Sequence, residues 1–398
     1  MPLRRSPLFL LSLVAMSAVG GMATHIFLPA LPAVQQHFRA DTGTVQLTLS
    51  LSMIMLGTMP LIYGPLSDQY GRRPILLIGT LIFLAGCLVC AFSTSLWQLI
   101  LGRMLQSSGA AAGYSLSRTV TRDVYGREDT ARMLAYLMMA VVIAPMLAPV
   151  IGGVLTDAFD WRAIFVFMSG TVLLVFLLFL VGLPETHRHK TGGGFGQMFH
   201  GMAIVVRVPQ FWGFAMQAAL GMSVFYAFLA AAPYLMTDVM GRPAREYGLL
   251  FIGLSLAFIF GNFVSARLVN RFGPVRLIVF GVVSTAVVLI ATAALFWSVV
   301  LTPLILFTPA IIVSGFLGLV LANAQAKAIE AHPDAVGAAA GLSSFLQLVT
   351  AAAATQIIGL FADGTVWPMM AVMAVATVLS LFLVPLIRRE LPVLQEAQ

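Results

Sequence analysis

Twelve apolar runs follow one another along this chain, each close to the length of a membrane crossing and separated by short polar breaks. A helix needs about 20 apolar residues to cross the hydrocarbon core of a bilayer, and a barrel strand only about 10. Inside lipid every backbone N–H and C=O must be satisfied within the protein, so open sheet edges are excluded. The runs therefore read as helices, near 8–30, 44–64, 75–95, 97–118, 132–156, 162–183, 209–236, 246–268, 275–297, 300–325, 336–361 and 366–387. No segment reads as a strand.

Composition agrees. Of 398 residues, 60% are hydrophobic and 9% are charged, against about 25% charged in an ordinary soluble domain. So few charges cannot cover a water-exposed surface. The formal net charge of +7 could suggest nucleic acid. The basic residues, however, form short groups between the spans rather than one patch, which is the pattern of membrane topology. With the N-terminus in the cytoplasm, only Arg39, Arg162, Arg242 and Arg245 fall outside, and Arg103 lies within a span. Both termini are then cytoplasmic. Arg4 and Arg5 precede an apolar run, as in a signal peptide, but the run continues past signal length, so an uncleaved first span is expected. Cys87 and Cys90 form C-x-x-C inside an apolar helix, where they read as small core thiols and not as a redox or metal pair.

The longest polar break, "PETHRHKTGGGFGQMFHG" from Pro184, divides six spans from six. It reads as a flexible cytoplasmic linker over 185–208, between bundles at 1–184 and 209–398. The halves echo each other. "GPLSDQYGRRP" follows span two and "SARLVNRFGPVR" follows span eight, with Gly71 and Gly273 in matching places. A duplicated six-helix unit is a transporter pattern, with a substrate site near mid-membrane. The expected fold is thus an all-α integral membrane protein of twelve transmembrane helices in two pseudo-symmetric six-helix bundles.

Three stretches carry chemistry. In "GPLSDQYGRRP" a tight turn is expected, with Gly64 allowing close helix approach, Gly71 taking positive φ, and Asp68 set beside Arg72 and Arg73. In "GRMLQSSGAAAGYSLSRTVTRD", Arg103 stands inside an apolar run with Gln106 one helical turn later. An intramembrane arginine costs several kcal/mol unless it has partners or faces a wet cavity, so it is a functional candidate. The alternative is an arginine stretched to the interface. In "APMLAPVIGG", Pro145 and Pro149 bend the fifth span while Gly152 and Gly153 permit close packing.

These motifs resemble those of the major facilitator superfamily. "GPLSDQYGRRP" is similar to its signature loop, which latches the two halves together. In that resemblance Asp68 is the latch carboxylate, Arg72 and Arg73 complete the charge relay, and Asn270 marks a weaker second copy. R-x-x-Q resembles the span-four motif linked to proton transfer, with Ser107 in place of a glycine. "APMLAPVIGG" resembles the exporter-associated motif, with Ala148 in place of a glycine. "FLPALPAV", "QLTLSLSMIMLG", "SRTVTRDVY", "YAFLAAAPYLM", "LANAQAKAI" and "GAAAGLSSFLQ" extend the similarity along the chain to the Bcr/CflA drug:proton antiporters.

That branch usually carries an acidic residue just before "-YLPALP". Here the position is His25, and no other span holds a mid-membrane Asp or Glu. If spans one and four face each other, as the resemblance implies, His25 and Arg103 share a cavity with no acid to balance them. A second positive charge beside a guanidinium is disfavoured, so the ring is expected neutral, and substrates are expected to be neutral or anionic amphipaths. Further cavity candidates are Met53, Met55, Tyr114, Phe225, Tyr226, Asn323 and Gln347, on helices that line the cavity in the superfamily; lipid contact and helix packing are the other uses of such residues. The expected function is export of small drug-like molecules from the cytoplasm by alternating access, coupled to proton antiport. The expected partners are substrate, proton and bilayer, without nucleic acid, metal or cofactor. The expected location is a bacterial inner membrane, as a monomer. An uncoupled metabolite exporter of the same fold is the alternative. A membrane enzyme would need converging nucleophile and base or metal ligands, and ATP use would need a P-loop; neither is found.

Overall fold

The computed structural model describes residues 7–125, 127–186 and 194–388, and every regular element among them is helical. In chain order these are α1 (Pro7–His25), α2 (Leu31–Phe38), α3 (Thr42–Tyr70), α4 (Arg72–Ala91), α5 (Leu96–Val124), α6 (Arg127–Ala158) and α7 (Arg162–Gly182). There follow α8 (Gly194–Val206), α9 (Pro209–Tyr234), α10 (Ala244–Phe272), α11 (Pro274–Ser298), α12 (Pro303–Glu330), α13 (Val336–Leu360) and α14 (Trp367–Arg388). Eleven segments are long and apolar enough to cross a membrane, with α1 and α2 counted as one. The twelfth, α5, has the length at 29 residues. It is diluted by Arg103, Gln106, Ser107 and Ser108 within the run and by Arg118, Arg122 and Asp123 at its end.

Four local outcomes differ from the expected ones. The first span is broken, because α1 stops at His25 and a short 3-10 turn, Leu28–Ala30, precedes α2. Pro29 and Pro32 lack the N–H groups that would continue the α-helical ladder. The expected loop after span two is mostly helix. α3 runs through Gly64, Pro65 and Asp68 to Tyr70, so the turn is Gly71 alone, at φ 108°. Gly273 does the same between α10 and α11 at φ 77°. Prolines inside membrane helices are tolerated where neighbouring groups re-satisfy the backbone, and Pro60 and Pro65 both lie within α3. Around Gly64 no close approach is seen among the described residues of unit 1, where nothing lies within 4 Å of the place a Cβ would take. Finally, the segment read as a flexible linker contains α8. Residues 187–193 of that segment fall outside the described residues, as do Arg4, Arg5 and Arg389.

Three helix starts, those of α3, α5 and α12, are capped by short polar side chains that take orphan first-turn N–H groups. Asp41 accepts from Thr44 N–H at 2.8 Å, and hydrogen bonds from the Thr44 hydroxyl and amide hold its carboxyl below the usual range. Ser95 caps α5 and Thr302 caps α12.

The chain forms two compact units. Unit 1 is Met1–Met198 with Pro243–Leu249, and unit 2 is Phe199–Arg242 with Leu250–Gln398. In unit 1, α5 is the central helix, packed against α1, α3 and α4. A Cβ at Gly86 or Gly109 would collide with the backbone of Gln106 or Phe83, so α4 and α5 meet backbone to backbone. In unit 2, α9 is central, packed against α12, α13 and α14. Its small residues, Ala218, Ala219, Gly221 and Ala230–Ala232, are buried and let the neighbours approach closely. Large apolar side chains such as Leu174, Val181, Ile290 and Phe382 are exposed, as on a lipid-facing surface.

Candidate functional site

Arg103 is fully buried, at 0% exposure, so it does not stretch to an interface. It sits in the second turn of α5, among the small residues that let α1 and α4 close around it. Its Nη1 donates to the Ala23 carbonyl at 2.9 Å and to Gln106 Oε1. The guanidinium carbon lies 4.8 Å from the centre of the Phe27 ring, a favourable cation–π placement. Gln106 in turn donates to Cys87 Sγ at 3.1 Å. Nε and Nη2 of Arg103 have no hydrogen-bond partner among the described residues. The arrangement is a desolvated cation with two donors in reserve, held by neutral acceptors. Chemically it can receive an anion or a hydrogen-bond acceptor, and a positive group brought beside it would be repelled.

His25 ends α1. Its Nδ1 donates to the Gly21 carbonyl at 3.2 Å, since a carbonyl can only accept. Arg103 meets the same helix two residues earlier, at Ala23. Cys87 and Cys90 are free and buried, but Cys87 also serves as the acceptor that orients Gln106.

The latch residues converge at the start of α4. Arg72, 7% exposed, pairs with Asp68 Oδ1 at 2.6 Å and with Asp123 Oδ2 at 3.3 Å, and it donates to Ser67 Oγ. Arg73 Nη2 donates to the Leu180 carbonyl at 3.1 Å. The Arg72 and Arg73 amides both donate to Glu185. Sequence reasoning missed Glu185 and left Asp123 out of the latch. Asp123 lies within "SRTVTRDVY" in the last turn of α5, and an acidic residue at the cytoplasmic end of a span was the available signal. Glu185 had none, because it contacts residues more than a hundred positions away.

In the exporter-like stretch both prolines lie inside α6. A Cβ at Gly152 would collide with the Ile26 carbonyl, and one at Gly153 would come within 2.6 Å of the Ala244 carbonyl. Asp157, one turn on, accepts from the amides of Ala244 at 3.1 Å and Arg245 at 2.9 Å.

The remaining cavity candidates divide between the two units. In unit 1, Met53 is buried, Met55 is half-buried, and Tyr114 lies under Arg118, whose guanidinium carbon is 4.8 Å from the ring centre. In unit 2, Phe225 and Tyr226 pack edge to face, and Phe225 lines a small apolar cavity with Val224, Phe228 and Met373. Asn323 donates to Ser265 Oγ and to the Leu319 carbonyl, both at 2.7 Å. Gln347 donates to the Ser343 carbonyl one turn back at 3.2 Å. Asn323 thus ties α12 to α10, while Gln347 bonds within its own helix.

Comparison with known proteins returns a match to the family model described as Major Facilitator Superfamily over residues 11–355. Multidrug resistance protein D of Escherichia coli is 29% identical over 352 residues, covering 86% of each chain. A chloramphenicol resistance protein of Pseudomonas aeruginosa is 29% identical over 257 residues, covering 64% of this chain and 60% of that one. Among solved structures, a bacterial homologue of the human lysosomal transporter Spinster, inward-facing and occupied, superposes with a TM-score of 0.78 at 16% identity, covering 96% of both chains. At that identity the likeness concerns the fold.

Proposed function

The chain belongs to the major facilitator superfamily, so it is a transporter and not an enzyme, and from that premise we propose that it exports small neutral or anionic amphipathic molecules from the cytoplasm by proton antiport. Export is supported by relatives named for drug and chloramphenicol resistance and by the Pro and Gly residues of α6. The charge of the substrate is argued from one observation. Arg103 is buried without a carboxylate partner among the described residues and holds two donors unused. A neutral molecule rich in acceptors, or an anion, satisfies those donors on binding, whereas a cation meets an uncompensated positive charge. We place the protein in the inner membrane of a bacterium, as a Bcr/CflA-type monomer with both termini cytoplasmic, on the distribution of Lys and Arg. The cavity is read as lying near mid-membrane, and no cofactor is required beyond the proton gradient.

His25 is the mid-span group with an intrinsic pKa suited to carrying the coupling proton. Each charge moved across the membrane is worth about 2.3 kcal/mol per 100 mV, enough for a single proton to drive a useful gradient. The test is chloramphenicol accumulation in energised everted vesicles. A protonophore should collapse it in the native protein, and His25→Ala should leave only facilitated, gradient-independent equilibration. Accumulation that survives the protonophore would favour a differently coupled metabolite exporter, and pH-driven accumulation by His25→Ala would move the proton to another group.

A further inference from the structure

We propose that Glu185, the third residue beyond the sixth span, is a positioning residue of the transport cycle: it clamps the start of α4 so that Arg72 stays aimed at Asp68 and Asp123. α4 begins at Arg72 straight after Gly71, which has no side chain to act as a cap. A helix leaves its first N–H groups without internal partners. Pro74 carries no N–H, so the open donors of the first turn are the amides of Arg72 and Arg73. Glu185 takes both, Oε1 from Arg72 at 3.0 Å and Oε2 from Arg73 at 3.2 Å. A carboxylate at a helix N-terminus also meets the positive end of the helix dipole.

The clamp comes from another helix end. Arg73 reaches back to the Leu180 carbonyl in the last turns of α7, so α4 and α7 hold each other from both sides. Arg72 then spans from α3, through Ser67 and Asp68, to Asp123 of α5. One buried guanidinium can bridge two helices only if its own Cα is held at the right height, and the Glu185 bonds to the main chain do that. Gly71 is matched to the clamp, since a Cβ there would stand 2.5 Å from Glu185 Oε2. Among the described residues nothing lies within 4 Å of a Cβ at Gly273 and no side chain caps α11, so the clamp is seen at the turn of unit 1. It accompanies the ion cluster, whose pairs any change of conformation must loosen and re-form in register.

The inference rests on the transporter assignment and not on the substrate reading. Its test is amide hydrogen exchange on the purified full-length chain in lipid nanodiscs, with chloramphenicol transport in everted vesicles beside it. In Glu185→Ala the Arg72 and Arg73 amides should exchange about fivefold faster, as for a lost helix cap. Residues 120–124 of α5, of which Asp123 is reached through Arg72, should also exchange faster. Glu185→Gln, which keeps an acceptor oxygen, should lie between the two and carries the comparison if the alanine variant fails to insert. Maximal transport rate should fall with KM unchanged. Faster exchange confined to Arg72 and Arg73, with residues 120–124 and the transport rate unaltered, would reduce Glu185 to a plain cap and overturn the proposal, as would unchanged exchange throughout. If native vesicles move no chloramphenicol, the drug-export reading fails, while exchange at residues 120–124 still decides the role of Glu185.

Discussion

Arg103 in unit 1 and Gln217 in unit 2 are both fully buried polar side chains inside a central helix, and their surroundings treat them differently. Gln217 is matched by a single residue. Its Nε2 donates to the Ser380 carbonyl at 2.7 Å, and the Ser380 hydroxyl donates back to its Oε1. The pair is neutral and closed, and it ties α9 to α14. Arg103 is charged, is held by neutral acceptors, and keeps two donors without partners. A buried polar group left unsatisfied costs free energy, so a fold retains one where something else completes it. The Gln217–Ser380 pair ties two helices of unit 2 together, while Arg103 in unit 1 keeps donors that no described residue completes. The two one-residue turns repeat the contrast. Gly71 is enclosed by the Glu185 carboxylate at the head of an ion cluster, and nothing among the described residues lies within 4 Å of a Cβ at Gly273.

Three substitutions sharpen the contrast. The largest effect is expected at Gly71. Alanine there must adopt φ near 108° with ψ near 158°, a glycine-dominated region that costs an L-residue about 1–3 kcal/mol, and its Cβ must also displace Glu185. Gly71→Ala should lower the melting temperature more than Gly273→Ala, which meets the strain without the collision, and should abolish export; equal losses in the two variants would mean that the clamp adds nothing. Next is Gln217→Ala, which strands the buried Ser380 hydroxyl. A loss of about 1–3 kcal/mol is expected in detergent melts, with the preference among neutral, anionic and cationic probes unchanged. An altered preference would give unit 2 a share in charge selection. The smallest is His25→Asp, which puts a carboxylate on α1 two residues after the carbonyl that holds Arg103. It should shift transport from chloramphenicol toward ethidium by about tenfold, equivalent to about 1.4 kcal/mol, with little change in stability. No shift would mean that position 25 does not face the transported molecule.

The membrane fold was legible because span length and apolarity are summed over some twenty residues, and even α5, diluted by Arg103 and its polar neighbours, keeps the length of a span. Arg103 and Gln106 stood out for the same reason, as polar residues where lipid or packed helix allows few. Features set by a single backbone group were harder to read. Gly64 and Pro65 look like a loop, yet α3 continues through them to Tyr70, because a membrane helix whose neighbours supply hydrogen bonds does not stop at proline. The break after His25 depends on which of two nearby prolines interrupts the ladder. The pairing of Asn323 with Ser265 and of Gln217 with Ser380 depends on helix rotation, which a twenty-residue apolar run without a strong polar face leaves open. Glu185 was hidden by distance along the chain, since nothing in "LPETH" announces a partner at Gly71.

The central claim is that the buried, uncompensated Arg103 selects against cations. Its most direct test is uptake of chloramphenicol and of ethidium into energised everted vesicles carrying either the native chain or Arg103→Ala. The account predicts accumulation of chloramphenicol but not of ethidium by the native protein, with chloramphenicol uptake lost in the variant. Ethidium transport by the native protein that disappears in Arg103→Ala would contradict it, because the arginine would then be assisting the charge it is held to exclude.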